Sequence, residues 1–272
     1  MSPGYQALRE GTGWLDLSAR GRIVARGRDR ARLLHNITSN EVKKLMPGQG
    51  CYAFLLSPQG RIQADLNLCC FEDHFLIDTE AELREKAYQH IKRYIIADQV
   101  DLEDVTEQTA CVGVEGPTPV TPVPESDYAH ARWEGCTVAR VTMTGQPGVR
   151  IFCAADRKAE IIAKLEAAGA QAATMDDSRA LRIENGKPRY GEEITDMSLP
   201  QETQQMHAVS FTKGCYIGQE IVERIRARGH VNRKLTPFEG APPEGAELAS
   251  SVVSPATGKT MGFAWVRENR SA

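Results

Sequence analysis

The sequence predicts an α+β protein whose strands and helices fall into three successive groups. Three observations lead there. Between Cys51 and Val105, three strand patterns, one strong amphipathic helix and a fourth strand follow in that order. Between Cys136 and Ala168, two further strand patterns lead into a second helix. Beyond Gly229 the helical periodicity stops, and short apolar runs alternate with glycine and proline turns, the pattern of a small β-barrel. The 272 residues suit one to three such units and suffice to bury a large core.

Residues 1–20 read as a lead-in anchored by Trp14, Leu15 and Leu17. A strand follows at Arg22 to Ala25. Asp29 is placed to start a short helix through His35, with Leu33 and Leu34 facing inward. After the Pro47-Gly48 turn, strands at Cys51–Leu56 and Arg61–Phe71 are joined at Pro58-Gln59-Gly60 as a hairpin. Glu72-Asp73 then turns the chain into a strand at His74–Asp78. From Glu80 to Ala97, Leu83, Ala87, Ile91, Tyr94 and Ile95 fall on one helical face. A strand at Val100–Val105 closes this group, and Cys111–Val114 extends it.

The prolines between Pro117 and Pro124 mark a loop between units. Strands at Cys136–Thr142 and Val149–Ala154 precede a helix over 156–168, with Asp156 as N-cap and Gly169 past its end. A helix over 176–183 delivers Glu184 into the Gly186–Gly191 loop. Strands near 231–238 and 260–266 complete the chain, and no internal repeat is visible. The predicted division is 1–116, 117–229 and 230–272.

A net charge of −3 gives no long-range attraction to nucleic acid, which excludes bulk RNA or DNA binding as the main activity. The seven cysteines are odd in number and never fall as Cys-x-x-Cys, so neither a disulfide framework nor a zinc site is indicated. Cys69 and Cys70 are adjacent on a predicted strand and point to opposite faces. No signal peptide and no apolar run long enough to cross a bilayer is seen, and a cytoplasmic location without membrane attachment is expected.

The stretch Lys213-Gly214-Cys215-Tyr216-Ile217-Gly218-Gln219-Glu220 carries the chemistry. It leads into a helix pattern in which Ile217, Ile221, Val222 and Ile225 share a face, and Glu220 and Arg224 form an i,i+4 pair. A thiol ahead of a helix N-terminus and beside a lysine sits in positive potential, which favours thiolate. Read without further context, the same residues are a solvated helix face and a cysteine of the kind most often buried as a small hydrophobe.

This block resembles the K-G-C-[FY]-x-G-Q-E signature of the YgfZ-type folate-binding proteins, relatives of aminomethyltransferase, the T-protein of glycine cleavage. The likeness extends to Asp16-Leu17-Ser18, Leu34-His35-Asn36-Ile37-Thr38, Gly48-Gln49-Gly50, Pro58-Gln59-Gly60-Arg61-Ile62, Arg189-Tyr190-Gly191 and Arg228-Gly229-His230, in the expected order. The resemblance implies three subdomains around a central cavity that holds tetrahydrofolate. It implies Glu184 as the carboxylate that accepts from a pterin ring, with Tyr190 beside it. Asp65 is the one acid in the stretch Gly60–Leu66 that corresponds to the paired acids of the aminomethyltransferases; if it is the structural member of that pair the transfer chemistry lacks its acid, which puts aminomethyl transfer in doubt. Cys215 stands where those enzymes resemble an aspartate, so the chemistry reads as moved toward sulfur, iron or redox.

The signature family is implicated in assembly or repair of iron–sulfur clusters in client enzymes, tRNA-modifying ones included. One thiol cannot hold a cluster, which typically takes about four such ligands, so assembly or client proteins are the implied partners of a monomer. Cys215, Lys213 and Asp65 are then the candidate reactive residues. Glu184, Tyr190, Arg226 and Arg228 are the candidate folate contacts, the two arginines meeting the glutamate tail or an acidic partner. No resident metal is implied. The rival readings are an aminomethyltransferase-like enzyme and a folate-binding scaffold without chemistry.

Overall fold

The computed structural model describes residues 1–268. Its strands are β1 (Gly13–Asp16), β2 (Gly21–Arg26), β3 (Gly50–Leu56), β4 (Ile62–Cys70), β5 (His74–Thr79), β6 (Asp101–Asp104), β7 (Thr109–Glu115), β8 (His130–Trp133), β9 (Cys136–Ala139), β10 (Gly148–Ala154), β11 (Gln171–Ala172), β12 (Arg233–Glu239), β13 (Glu247–Val253) and β14 (Thr260–Arg267). The helices are α1 (Pro3–Glu10), α2 (Arg30–Ile37), α3 (Arg84–Arg93), α4 (Lys158–Ala167), α5 (Met175–Glu184) and α6 (Gln219–Arg228).

Strand pairing makes three sheets: β3-β4-β5-β2-β6, β11-β1-β7-β10-β9-β8 and β12-β14-β13. The first group of predicted strands forms the first sheet. Two elements depart from the predicted division. β7, read from sequence as an extension of the first sheet, pairs with β1 and β10 in the second. The lead-in segment supplies α1 and β1, and β1 joins that same second sheet. The C-terminal strands form an open antiparallel sheet of three, and no pairing among the described residues closes it into a barrel.

The first two sheets stack face to face, as the alternation of side chains shows. On β2, β4 and β5, residues Ile23, Leu68 and Ile77 face α2, α3 and α6 in one core, while Val24, Cys69 and Leu76 face the second sheet. Cys69 and Cys70 thus point to opposite faces. On β7 and β10, Cys111 and Phe152 meet the first sheet, whereas Val112 and Ile151 pack under α4. The order of layers is helix, sheet, sheet, helix. Ile183 at the end of α5 packs with Leu235, Phe263 and Trp265, which seats the C-terminal sheet on the body.

Local sequence explains the helix ends. Thr174 and Asp177 form a reciprocal capping box at the start of α5. Gly229 ends α6 in the left-handed region at φ 74°. Asp29 precedes α2 but makes no capping bond; its carboxylate accepts from Gln99 N at 2.8 Å and pins the strand that follows α3. Gly218 has φ 82°, and a Cβ there would lie 2.6 Å from Ser57 O, so glycine alone lets α6 approach the Pro58–Gly60 turn. Among the described residues no helix is long and apolar enough to cross a membrane.

Candidate functional site

The space between the stacked sheets is apolar at one end and polar at the other. One pleat along from Val24, Cys69 and Leu76, the same inward-facing rows carry Arg22, Asn67 with Asp65, and Asp78. The row of Phe152 carries Arg150. Buried charges need ionic or hydrogen-bonding partners; Arg22 donates to the carbonyl oxygens of Ser18, Arg20, Thr106 and Thr109, and the remaining charges apart from Asp65 are paired with one another. Arg20 donates to both oxygens of Asp78 at 2.8 and 3.0 Å and also binds Glu80; Arg150 of the second sheet binds Asp78 as well. Arg189 reaches Glu80 at 2.9 Å from the loop after α5. Burial works to raise Asp78, but Arg150 and Arg20 outweigh it and hold the carboxyl below its usual range.

Above this ionic floor opens a cavity of about 380 Å³, walled by both sheets and by the loops at 140–148, 187–189 and 205–207. Among the described residues, two of its buried polar atoms lack partners. Asp65 accepts from Tyr52 Oη at 2.9 Å through Oδ2, while its buried Oδ1 has no partner. Arg150 Nε is likewise buried and unpaired. Burial, with the nearby charge of Glu80, pushes the Asp65 carboxyl up to about 6. Aromatic rings line one wall: Tyr52 is stacked on His207 at 5.2 Å and on Tyr128 at 6.3 Å between centroids. The cavity is thus lined by an acid and an arginine that each hold an unpaired buried atom, and by flat ring faces, a set that suits a planar heterocycle with a polar edge.

A β-bulge sets the aim of Asp65. Leu55 pairs with Ala64 and Leu56 with Ile62, so Gln63 is the extra residue on β4, immediately before the row that enters the cavity.

The other candidate residues lie elsewhere. Glu184 is not among the cavity-lining residues: both its oxygens are in reach of Tyr5 Oη, at 2.7 and 2.6 Å, and Arg9 pairs with it at 2.7 Å. That carboxylate ties α5 to α1. Tyr190 is buried in the core beneath the first sheet, with Lys86 Nζ 3.4 Å from its hydroxyl. Lys213 is buried too, and its ammonium donates to the carbonyl oxygens of His35, Thr38 (2.6 Å) and Asn40 (2.9 Å), satisfying the carbonyls at and just past the end of α2.

The ammonium predicted to sit beside the thiol is thus spent on backbone. Cys215 is exposed and precedes Gln219, the first residue of α6, by four positions. Glu184 and Cys215 do not share a hollow: neither lines the cavity, which lies between the sheets, whereas α6 packs on the outer face of the first. Arg226 and Arg228 are exposed on α6, Arg226 lying 4.4 Å over the Phe211 ring. Among the described residues, no three His, Cys, Asp or Glu side chains converge as metal ligands.

Sequence reading passed over the cavity's basic residues and its aromatic wall. Arg150 looks like one residue of an apolar strand, and Tyr128, which adopts φ 63°, lies between the proline loop and the next predicted strand. An arginine on a strand that is otherwise buried was the available signal, since such a charge needs a partner.

The family model for the GCVT N-terminal domain matches residues 3–213. The chain belongs to this family. Aminomethyltransferase of Rubrobacter xylanophilus is 29% identical over 290 residues, covering 96% of this chain and 78% of that protein. Aminomethyltransferase of a Thermoanaerobacter species is 26% identical over 267 residues, covering 90% and 72%. Among solved structures, the glycine cleavage system aminomethyltransferase T from Bartonella henselae superposes with a TM-score of 0.86 at 17% identity, over 97% of this chain and 80% of that one. The α+β fold is that of aminomethyltransferase. In this GCVT-domain chain the family match ends where the Lys213–Glu220 block begins.

Proposed function

We propose that this protein binds tetrahydrofolate in the cavity between its two stacked sheets, with Asp65 as the carboxylate that meets the polar edge of the pterin. The single observation that carries this is the buried, unpartnered Oδ1 of Asp65 in a cavity walled by stacked aromatic rings. A reduced pterin supplies N–H donors to such an acceptor and a flat ring to such a wall. Arg150 Nε is a donor for a ring carbonyl. Glu184, whose oxygens Tyr5 and Arg9 already hold, enters this reading only by giving up those bonds.

The role built on that binding follows the YgfZ-type signature: support of assembly or repair of iron–sulfur clusters in client enzymes, with the cluster as cargo and the client's own cysteines as its ligands. An exposed Cys215 is accessible to a partner, in keeping with a transient ligand or redox thiol. Replacing Cys215 with Ala in cells tests this part: loss of cluster-dependent client activity, with folate binding intact, is the expected result, and unchanged client activity refutes it. A second reading, one-carbon transfer to folate, is favoured by the Asp65 carboxyl near 6, which suits proton handling. Methylene transfer that survives Cys215→Ala and disappears in Asp65→Asn identifies that reading.

A further inference from the structure

Lys187 lines the same cavity and has no part in the reading above. It stands in the loop after α5, with its stem beside Gly145, whose added Cβ would meet Lys187 Cδ at 3.8 Å. Its Nζ donates to the carbonyl oxygen of Thr142 and lies 3.5 Å from the Thr142 hydroxyl; these are its bonded partners among the described residues. Two carboxylates favour its charged form, and both are committed elsewhere: Glu115, the stronger influence, accepts from Thr144 N at 2.8 Å and from Met143 N and the Thr144 hydroxyl, and Glu80 is paired with Arg20 and Arg189. Arg150 and Arg20 add charge of the same sign. Burial first, and then these arginines against the pull of Glu115, bring the amine down to about 8. A desolvated lysine beside other cations, at the wall of a cavity, is the setting in which a side-chain amine becomes nucleophilic.

We propose that Lys187 is an amine nucleophile that captures small aldehydes in the central cavity as an imine. The lone pair of the neutral Nζ attacks the carbonyl carbon, a C–N bond forms, and an amine proton passes to the oxygen. Loss of that hydroxyl as water, with one proton taken up from solvent, leaves a protonated imine. No oxidant or reductant is consumed, and hydrolysis restores the amine. The site accepts aldehydes small enough for the cavity, of the size of a one-carbon unit, and this holds whichever larger ligand the cavity takes.

Lys213 provides an internal comparison. Burial brings its amine to about 8 as well, but all three of its donors go to backbone carbonyls and it does not line the cavity. Acidity alone would make both lysines reactive; a place on the cavity wall makes only Lys187 so.

The test treats the whole protein with dilute formaldehyde and cyanoborohydride near neutral pH, which converts each imine to a methylated lysine, and follows every lysine-containing peptide by mass. Lys187 is expected to be labelled on the order of a hundredfold faster than the exposed Lys44 and Lys92, from the difference between its acidity and that of an ordinary lysine, with Lys213 slow. Lys187→Arg keeps the positive charge and should remove the fast product alone. Labelling of Lys187 at the rate of Lys44, equal labelling of Lys213, or a fast product that survives in Lys187→Arg overturns the proposal. Tetrahydrofolate titration of the same preparation is read separately, so failure to bind folate counts against the folate reading and leaves this one standing.

Discussion

Tyr52 Oη donates to Asp65 Oδ2 at 2.9 Å across the β3–β4 pair, and the other oxygen of that carboxylate is buried without a partner. The phenol holds the acid in position and leaves half of it for something else. Tyr52→Phe removes the carboxylate's one bonded partner among the described residues and leaves both oxygens unsatisfied, which costs about 1–3 kcal/mol. Chemical denaturation of the variant against wild type measures this, and an unchanged midpoint refutes the contact.

The raised acidity constant of Asp65 has a defined sign in the pH dependence of stability. Its folded value, about 6, lies above the ordinary aspartate value near 3.9. Between the two, the native state binds more protons than the unfolded one, so this group's contribution falls as pH rises through that window and is constant beyond it. Asp65→Asn lacks this slope. The variant should gain on wild type by on the order of 2 kcal/mol between about pH 4 and 6, read from denaturant midpoints across that range; parallel curves would contradict it.

Arg20 satisfies Asp78 and Glu80 together in the floor of the cavity. Removing one member of a buried ionic group strands the others, at about 3–5 kcal/mol. Arg20→Met should therefore lower stability by roughly that amount, whereas a change below about 1 kcal/mol would place the network in solvent-like surroundings.

Lys213 and Cys215 are close in sequence and should separate sharply in experiment. Lys213→Met orphans three carbonyls and should cost about 2–4 kcal/mol in thermal or chemical unfolding. Cys215→Ala alters an exposed side chain and should stay within about 0.5 kcal/mol of wild type. Equal effects would mean that the signature acts through packing alone.

Much of the fold was legible because the pleat and helix periods are local. The strand predicted at Cys51–Leu56 is found at Gly50–Leu56, and the helix predicted over 176–183 at Met175–Glu184. The predicted helix from Glu80 to Ala97 is shorter, Arg84–Arg93 after a 3-10 turn, since Tyr94 and Ile95 pack on the core from outside the helix. Pairing was not legible: β7 reads the same whichever sheet receives it. The site divides likewise. Asp65 follows a turn whose pattern carries over, whereas the partners of Glu184 lie at Tyr5 and Arg9, far off in sequence, and Lys187 is one lysine in a Gly-Lys-Pro loop until Thr142 and Glu115 are placed around it.

Calorimetric titration with tetrahydrofolate, on wild type and Asp65→Asn in parallel, tests the central claim most directly. One saturable site is expected in wild type, weakened by about 10- to 100-fold in the variant, as loss of a charged hydrogen-bond acceptor in a buried site requires. No saturable heat in wild type, or equal affinity in the two proteins, would contradict the assignment of the cavity and of its carboxylate.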